Sequence, residues 1–110
     1  MFVEPKEIEH KVIGVDCDLT LTLDTAWDPD EALACKPNWK VIERVNELYK
    51  RNWIIVYTAR ADNLIANTLV WLRRHGIKHH GICNEKRVFD FWIDDRAVNV
   101  KDFEEKGLDL

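Results

Sequence analysis

Acidic and polar side chains that could do chemistry stand at or just after the ends of three separate apolar runs. Six residues share this placement: Asp16, Asp18, Thr58, Arg60, Asp94 and Asp95. Each alone could simply end a strand or cap a helix, because Asp and Thr are common at such positions. Four carboxylates brought to one place, however, repel one another unless a cation lies among them. Hard oxygen ligands of this kind suit Mg²⁺, so the set predicts a magnesium site.

The elements that would position these residues are read from the apolar runs. Predicted strands cover Val12–Val15, Trp53–Tyr57, Ile77–Cys83 and Val88–Ile93. These runs are continuous, which is typical of strands buried on both faces of a parallel sheet. Ligands of open parallel sheets bind at the carboxyl ends of the strands. The polar residues are therefore expected to meet at one edge of the sheet.

Two helical patterns separate the strands. One begins at Pro37, a residue that favours the first turn, and its apolar side chains recur as far as Tyr49. The other begins at Asp62 as N-cap, and Gly76 stands where a C-terminal cap would. Alternating strands and helices predict an α/β, three-layer, Rossmann-like domain with a mainly parallel sheet of four to five strands.

Length and composition fit one domain. The chain has 110 residues, all assigned to a single domain with residues 1–10 as a lead-in. A net charge of −4 argues against broad electrostatic binding of nucleic acid. No apolar run approaches the roughly 20 residues that span a bilayer, which predicts no membrane association. Three cysteines without metal-ligand spacing, and no signal-peptide pattern, favour a reduced cytoplasmic setting.

Four segments, in order, resemble the motifs of the haloacid-dehalogenase-like (HAD) phosphatase superfamily. Val12–Thr20 is similar to the first motif, an apolar strand followed by Asp-x-Asp-x-Thr, and Ile54–Thr58 resembles the second, an apolar strand ending in Thr. Lys86, eight residues before Asp94, has a spacing similar to the third-motif Lys. Phe91–Asp95 resembles the fourth motif, an apolar strand ending in paired Asp. The resemblance implies a HAD-like fold and a Mg²⁺-dependent phosphomonoester hydrolase.

The same resemblance assigns catalytic roles. It makes Asp16 the nucleophile that forms an aspartyl-phosphate, and Asp18 the general acid and base. It makes Thr58 and Lys86 ligands of the phosphate oxygens, with Lys86 also offsetting the charge of Asp16. Such a clamp suits phosphoryl transfer, in which negative charge spreads over the equatorial oxygens.

The metal ligands follow from the resemblance as well. Asp16 and Asp94 would bind Mg²⁺ through their carboxylates, and Asp18 would bind it through its backbone carbonyl. Asp95 would be a direct or water-mediated ligand. At the position after Asp18 the family usually has Gly, and this chain has Leu19, which is strained there if the loop requires a positive φ. After Lys86 the family often has Pro, and this chain has Arg87.

Two further residues are candidates for substrate binding. Arg60 could reach a substrate phosphate or carboxylate, or could instead pair with Asp62 in the first turn of the following helix. Trp27 lies in a predicted flap region, residues 20–36, and could stack against a substrate or simply pack against the rest of the protein.

The spacing of the motifs also predicts that no cap domain covers the site. The segment from Leu21 to Asn52 holds the flap and one helix, and Cys83 to Lys86 leaves no room for an insert. An open site of this kind would act on a large substrate or be closed by a second copy in a homo-oligomer. Substrates left open are a sugar phosphate, a nucleotide or the terminal phosphate of a polymer. Alternative functions are phosphoryl transfer to an acceptor other than water and a non-catalytic binding module with this fold.

Overall fold

The part of the chain that the structure describes forms a sheet of four parallel strands. The computed structural model describes residues 8–85, 88–95 and 104. The strands are β1 (Val12–Asp16), β2 (Trp53–Tyr57), β3 (Gly81–Cys83) and β4 (Phe91–Ile93), in the spatial order β3-β2-β1-β4. All three strand pairs are parallel. The predicted α/β class and parallel sheet are therefore confirmed, while a fifth strand and a third layer remain predictions.

The two central strands bury one face more completely than the other. Ile13, Val15, Ile54 and Val56 are fully buried and form the centre of the core. Alternate residues such as Ile55 are only half-buried. Crossovers from β1 to β2 and from β2 to β3 run the same way across the sheet, and right-handed connections place their helices on the same face. The described helices thus cover the fully buried face.

Within residues 8–85 and 88–95, three α-helices accompany the sheet: α1 (Pro29–Ala34), α2 (Trp39–Tyr49) and α3 (Ile65–Arg74). Helix α2 buries Ile42, Val45 and Leu48, which recur at helical spacing along one face. It begins two residues after Pro37, because Pro37 forms an antiparallel bridge with Thr22 instead of entering the first turn.

The predicted cap of α3 at Asp62 is wrong. Residues Asp62–Leu64 form a separate 3₁₀ turn, and α3 begins only at Ile65. The Asp62 side chain accepts a hydrogen bond from Asn84 at 2.9 Å and so does not cap the helix. The predicted C-terminal glycine is confirmed, since Gly76 has φ 66° directly after the last turn.

Strand β3 is shorter than predicted, and Ile77, the first residue of the predicted strand, instead forms part of the cap that ends α3. The backbone N–H of Ile77 donates to the carbonyl of Leu72 at 3.0 Å, and that of Gly76 donates to Arg73 at 3.2 Å. This pair of bonds is a Schellman motif, which satisfies the last helical carbonyls. Strand β4 is also shorter than predicted, beginning at Phe91.

The flap region contains a helix that the sequence patterns did not predict. Asp28 accepts a hydrogen bond from the backbone N–H of Glu31 at 2.8 Å, and Pro29 occupies the first helical position. Asp followed by Pro and, three residues on, by Glu is a helix-start signal that was present in the sequence. The indole N–H of Trp71 donates to the carbonyl of Cys35 at 2.8 Å, so this region is tied to α3.

On the other face of the sheet, an aromatic side chain lies directly against the backbone of β1. A methyl group added at Gly14 would overlap the ring of Phe89. Phe89 in turn meets Trp92 edge-on, with ring centroids 4.5 Å apart, and Trp92 meets Tyr57 at 5.6 Å. Among the described residues, no helix combines the length and the apolar character needed to cross a membrane.

Candidate active site

Three carboxylates converge where β1 and β4 end. The register pairs Val15 with Ile93, so Asp16 and Asp94 lie side by side at the ends of neighbouring strands. One carboxylate oxygen from each of Asp16, Asp94 and Asp95 lies within 4.8 Å of the other two. The parallel sheet thus brings together residues that are far apart in the sequence, as the strand-end argument predicts.

This convergence makes it costly to ionise Asp16. Burial, then a side-chain hydrogen bond with Asp95 and the charge of Asp94, raise the pKa of Asp16 to about 7. The backbone N–H of Cys17 acts in the opposite direction. Each of the larger causes penalises the negative form, so the cluster favours the uptake of a proton or a cation.

The carboxylate cluster fits a magnesium ion. Mg²⁺ binds oxygen at about 2.1 Å in octahedral geometry, so two of its ligands lie about 3.0 Å apart when adjacent and about 4.2 Å apart when opposite. The three oxygens lie within 4.8 Å of one another, and closure of the cluster toward these spacings would let them share one ion. Asp95 is exposed and Asp16 and Asp94 are half-buried, which leaves the solvent side open for the water ligands that Mg²⁺ usually keeps. Asp16, Asp94 and Asp95 are therefore candidate metal ligands.

A single tight turn, Cys17–Leu21, follows β1 and orients the nucleophile candidate. The Thr20 hydroxyl donates to Asp16 Oδ2 at 3.3 Å. Leu19 has φ 62° and ψ 16°, a left-handed conformation that costs a branched residue roughly 1 kcal/mol. Its backbone N–H donates to the hydroxyl of Thr22 at 3.1 Å, which helps to hold this strained geometry. The loop therefore keeps the conformation for which glycine is suited, with Leu in its place.

Asp18 points toward Arg60 rather than into the carboxylate cluster. Arg60 Nη2 donates to Asp18 Oδ1 at 2.7 Å, and Nε donates to Oδ2 at 3.1 Å. The alternative partner of Arg60 considered from the sequence, Asp62, is instead bound by Asn84. The Asp18 side chain is therefore held by a buried cation and is not one of the three carboxylates that lie within 4.8 Å of one another.

Thr58 lies one residue beyond Tyr57, the neighbour of Asp16 in the sheet. It is fully buried, and its hydroxyl accepts a hydrogen bond from the backbone N–H of Arg60 at 3.1 Å. A phosphate contact would require this hydroxyl to be uncovered, so the predicted role of Thr58 as a phosphate ligand stays a prediction.

Of the remaining predicted site residues, Trp27 is described by the structure and Lys86 is not. Lys86, the predicted phosphate ligand, lies outside the described residues, as does Arg87. Trp27 stands just before α1, its side chain belongs to a residue that is 82% exposed, and its backbone N–H donates to Glu31. Ordinary packing, one of the two roles considered for Trp27, is therefore wrong, because the flap leaves this residue largely exposed.

Two residues that the sequence patterns did not single out complete the surroundings of Arg60. Arg60 Nη1 donates to the Thr68 hydroxyl at 2.9 Å, and Nη2 lies 3.4 Å from the Cys35 sulfur. Thr68 was visible as the one hydroxyl on an otherwise apolar helix face, whereas Cys35 gave no signal. Burial raises the pKa of the Cys35 thiol to about 11 and that of Cys17 to about 12, so neither is an activated nucleophile.

Comparison with known proteins finds no family model, no curated protein and no solved structure that matches this chain. A functional interpretation therefore rests on the site itself. Its parts are a half-buried carboxylate with two acidic neighbours, and a fourth carboxylate fixed by an arginine. Such a set can bind a divalent cation, with a candidate nucleophile, Asp16, in the cluster and a candidate acid–base group, Asp18, on Arg60 in the loop that follows β1.

Proposed function

We propose that the chain is a Mg²⁺-dependent phosphomonoester hydrolase that acts through an aspartyl-phosphate on Asp16. The observation that carries this proposal is the convergence of Asp16, Asp94 and Asp95 oxygens within 4.8 Å of one another at the carboxyl edge of a parallel sheet. A structural carboxylate would gain nothing from that position, because burial and the two acidic neighbours oppose its ionisation.

In the first step, an Asp16 oxygen attacks phosphorus and the bond from phosphorus to the ester oxygen breaks. Asp18 donates a proton to that leaving oxygen, so the alcohol departs neutral. Thr20 holds Asp16 through the hydrogen bond to Oδ2, which leaves Oδ1 as the attacking atom. Bound Mg²⁺ would offset the charge of the three carboxylates and the phosphate, which otherwise repel one another.

In the second step, water attacks the phosphorus of the aspartyl-phosphate and the bond to Asp16 breaks. Asp18, now ionised, accepts the proton of that water, and inorganic phosphate leaves. The cycle returns both carboxylates to their starting states. Splitting one displacement into two in this way is the usual benefit of a covalent intermediate.

Hydrolysis of an aryl phosphate, with and without excess chelator, tests the proposal. We expect turnover with Mg²⁺ and none without it, and no turnover in Asp16→Asn. Asp18→Asn should still release a burst of the aryl alcohol, because a good leaving group needs little protonation, while the second step stalls without its base.

Glu43→Gln, an exposed carboxylate change on α2, is the matched control and should keep wild-type turnover. Chelator-resistant hydrolysis, or a burst in Asp16→Asn, would refute the mechanism. A burst that is followed by transfer to an added alcohol, with no phosphate released, would instead indicate a phosphotransferase.

A further inference from the structure

The guanidinium of Arg60 is a buried junction between three parts of the chain. Its side chain is 2% exposed, and each of its nitrogens has a partner. Two nitrogens bind Asp18 in the loop after β1, and Nη1 binds Thr68 in α3. Nη2 also lies against the sulfur of Cys35, which follows α1. Each nitrogen of the Arg60 guanidinium therefore contacts a group within the protein.

The position of this guanidinium is fixed from both ends. The backbone N–H of Arg60 donates to the Thr58 hydroxyl at 3.1 Å, which anchors the residue to the end of β2. The Thr68 hydroxyl, which accepts from Nη1, itself donates to the carbonyl of Leu64 at 2.7 Å. The planar guanidinium is thus anchored through the Arg60 backbone and through Nη1. Because it binds a carboxylate with two nitrogens, it fixes the orientation of that carboxylate.

A substrate phosphate could reach Arg60 only by displacing Asp18. The Asp18 side chain is 27% exposed, against 2% for Arg60, so the carboxylate stands between the guanidinium and solvent. Replacing this fork with a phosphate would also leave the Asp18 carboxylate without its cation. The contacts thus favour Asp18, and not the substrate, as the group that Arg60 serves.

We propose that Arg60 is a positioning residue, which fixes the Asp18 carboxylate for proton transfer to the leaving oxygen and does not bind the substrate phosphate. This inference rests on the proposed function, since it gives Asp18 its acid–base role. Asp18 Oδ1 accepts from both Nη2 and Nε, at 2.7 and 3.2 Å, whereas the one contact that Arg60 makes with Oδ2 is the 3.1 Å bond from Nε. A lone pair therefore remains on Oδ2 to carry the transferred proton. In that step the Asp18 O–H bond breaks as the O–H bond of the alcohol forms, and Arg60 keeps its protons throughout.

A kinetic double-mutant cycle between Arg60 and Asp18 tests the inference. Arg60→Gln, Asp18→Asn and the double variant are assayed on an alkyl phosphate, whose poor leaving group depends on the acid. We expect each single change to lower kcat by about 10²-fold or more, and the double variant to be no slower than Asp18→Asn. KM and inhibition by inorganic phosphate should stay within about 3-fold of wild type in Arg60→Gln.

The opposite pattern would overturn the inference. If Arg60 binds the phosphate, Arg60→Gln weakens inhibition by inorganic phosphate at least tenfold, and its effect multiplies with that of Asp18→Asn. Arg73→Gln, an exposed arginine change in α3, is the matched control and should alter neither kcat nor KM.

Loss of a buried cation could unfold the protein, so a milder variant accompanies Arg60→Gln. Thr68→Val keeps Arg60 and Asp18 but removes the acceptor of Nη1, and should lower kcat several-fold with KM unchanged. A thermal-unfolding cycle on the same variants reports the Arg60–Asp18 pairing without any activity. Inactive wild-type protein overturns the proposed function and this role together, whereas active wild type with independent, multiplying effects overturns only the role of Arg60.

Discussion

One carboxylate oxygen of Asp16 lies within 4.8 Å of one of Asp95, across the ends of two neighbouring strands. A proton on either group would allow a hydrogen bond between them. Burial of Asp16, this hydrogen bond and the negative charge of Asp94 together raise the pKa of Asp16 to about 7. The metal-free site therefore holds a proton under conditions in which an ordinary aspartate would be ionised.

The stability of the metal-free protein should depend on pH through Asp16. Its pKa is higher in the folded protein, about 7, than the ordinary value of 3.8, so the folded state binds this proton more tightly. The resulting stabilisation is complete below about pH 4 and is lost as the pH rises through 7. Thermal melts in excess chelator, from pH 4 to 8, should show wild type losing stability relative to Asp16→Asn. A constant difference between the two proteins would contradict the shift.

Magnesium should stabilise the folded protein, and more so at pH 7.5 than at pH 5.5. A ligand that binds only the folded state raises the melting temperature, and here a proton on Asp16 competes with the ion. Melts with increasing MgCl₂ at the two pH values measure this. Asp94→Asn should lose most of the increase, while Glu43→Gln should keep it. If MgCl₂ raised the melting temperature of Asp94→Asn as much as that of wild type, the ion would bind at another site.

Replacing Leu19 by glycine should make the fold more stable. Leu19 has φ 62°, where a side chain is strained, so Leu19→Gly should raise the free energy of unfolding by about 1 kcal/mol. Leu23 is also exposed but has no positive φ, and Leu23→Gly should lower stability by about 0.5–1 kcal/mol. Chemical denaturation of both variants gives the comparison. Equal losses in the two would show that the strain at Leu19 is absent.

Adding a methyl group at Gly14 should destabilise the protein through Phe89. Gly14→Ala would overlap the Phe89 ring and should cost about 1–3 kcal/mol. At Gly81 the nearest atom is 3.6 Å from an added Cβ, an ordinary contact, so Gly81→Ala is the matched control and should cost little. In a Phe89→Ala background, the cost of Gly14→Ala should fall. If it does not, the clash is not its cause.

The exposed indole of Trp27 should contact either an extended substrate or a second copy of the chain. It is 82% exposed; Leu23, also in the flap region, is 57% exposed, and Leu19, in the turn after β1, is 42% exposed. We expect Trp27→Ala either to reduce the oligomer mass in light scattering or, in a monomer, to raise KM for large phosphate esters more than for small ones. Trp53, 57% exposed at the opposite edge of the sheet, provides the control variant. A monomer whose KM is unchanged would contradict this expectation.

The ends of β1, β2 and β4 are predictable because each apolar run stops at a polar residue. Continuous burial selects β-branched side chains up to the last strand position, and the chemistry starts directly after it. The residue pattern alone therefore places Asp16 and Asp94 at one edge of the sheet. The pattern also carries the signal for α1 in Asp28, Pro29 and Glu31, although this helix is too short and too polar to show an apolar period.

The partner of Arg60 could not be predicted in the same way. Asp62 is two residues away and Asp18 is 42, so local spacing favours the wrong carboxylate. Only the parallel register of β1 and β2 brings the two loops together. The strain at Leu19 could not be predicted either, because the residue type alone does not determine φ. The turn that follows β1 determines it.

The bridge between Thr22 and Pro37 makes the intervening stretch a natural grafting point. Its two ends are already hydrogen-bonded to each other, with Leu23 N–H donating to Lys36 at 2.8 Å. A foreign segment inserted at the exposed residue Thr25, with α1 and the buried Cys35 kept, would leave this bridge in place, because each doubling of loop length costs only about 0.6 kcal/mol in closure entropy. A peptide tag or a small binding module inserted there would be displayed on the segment that follows the turn Cys17–Leu21.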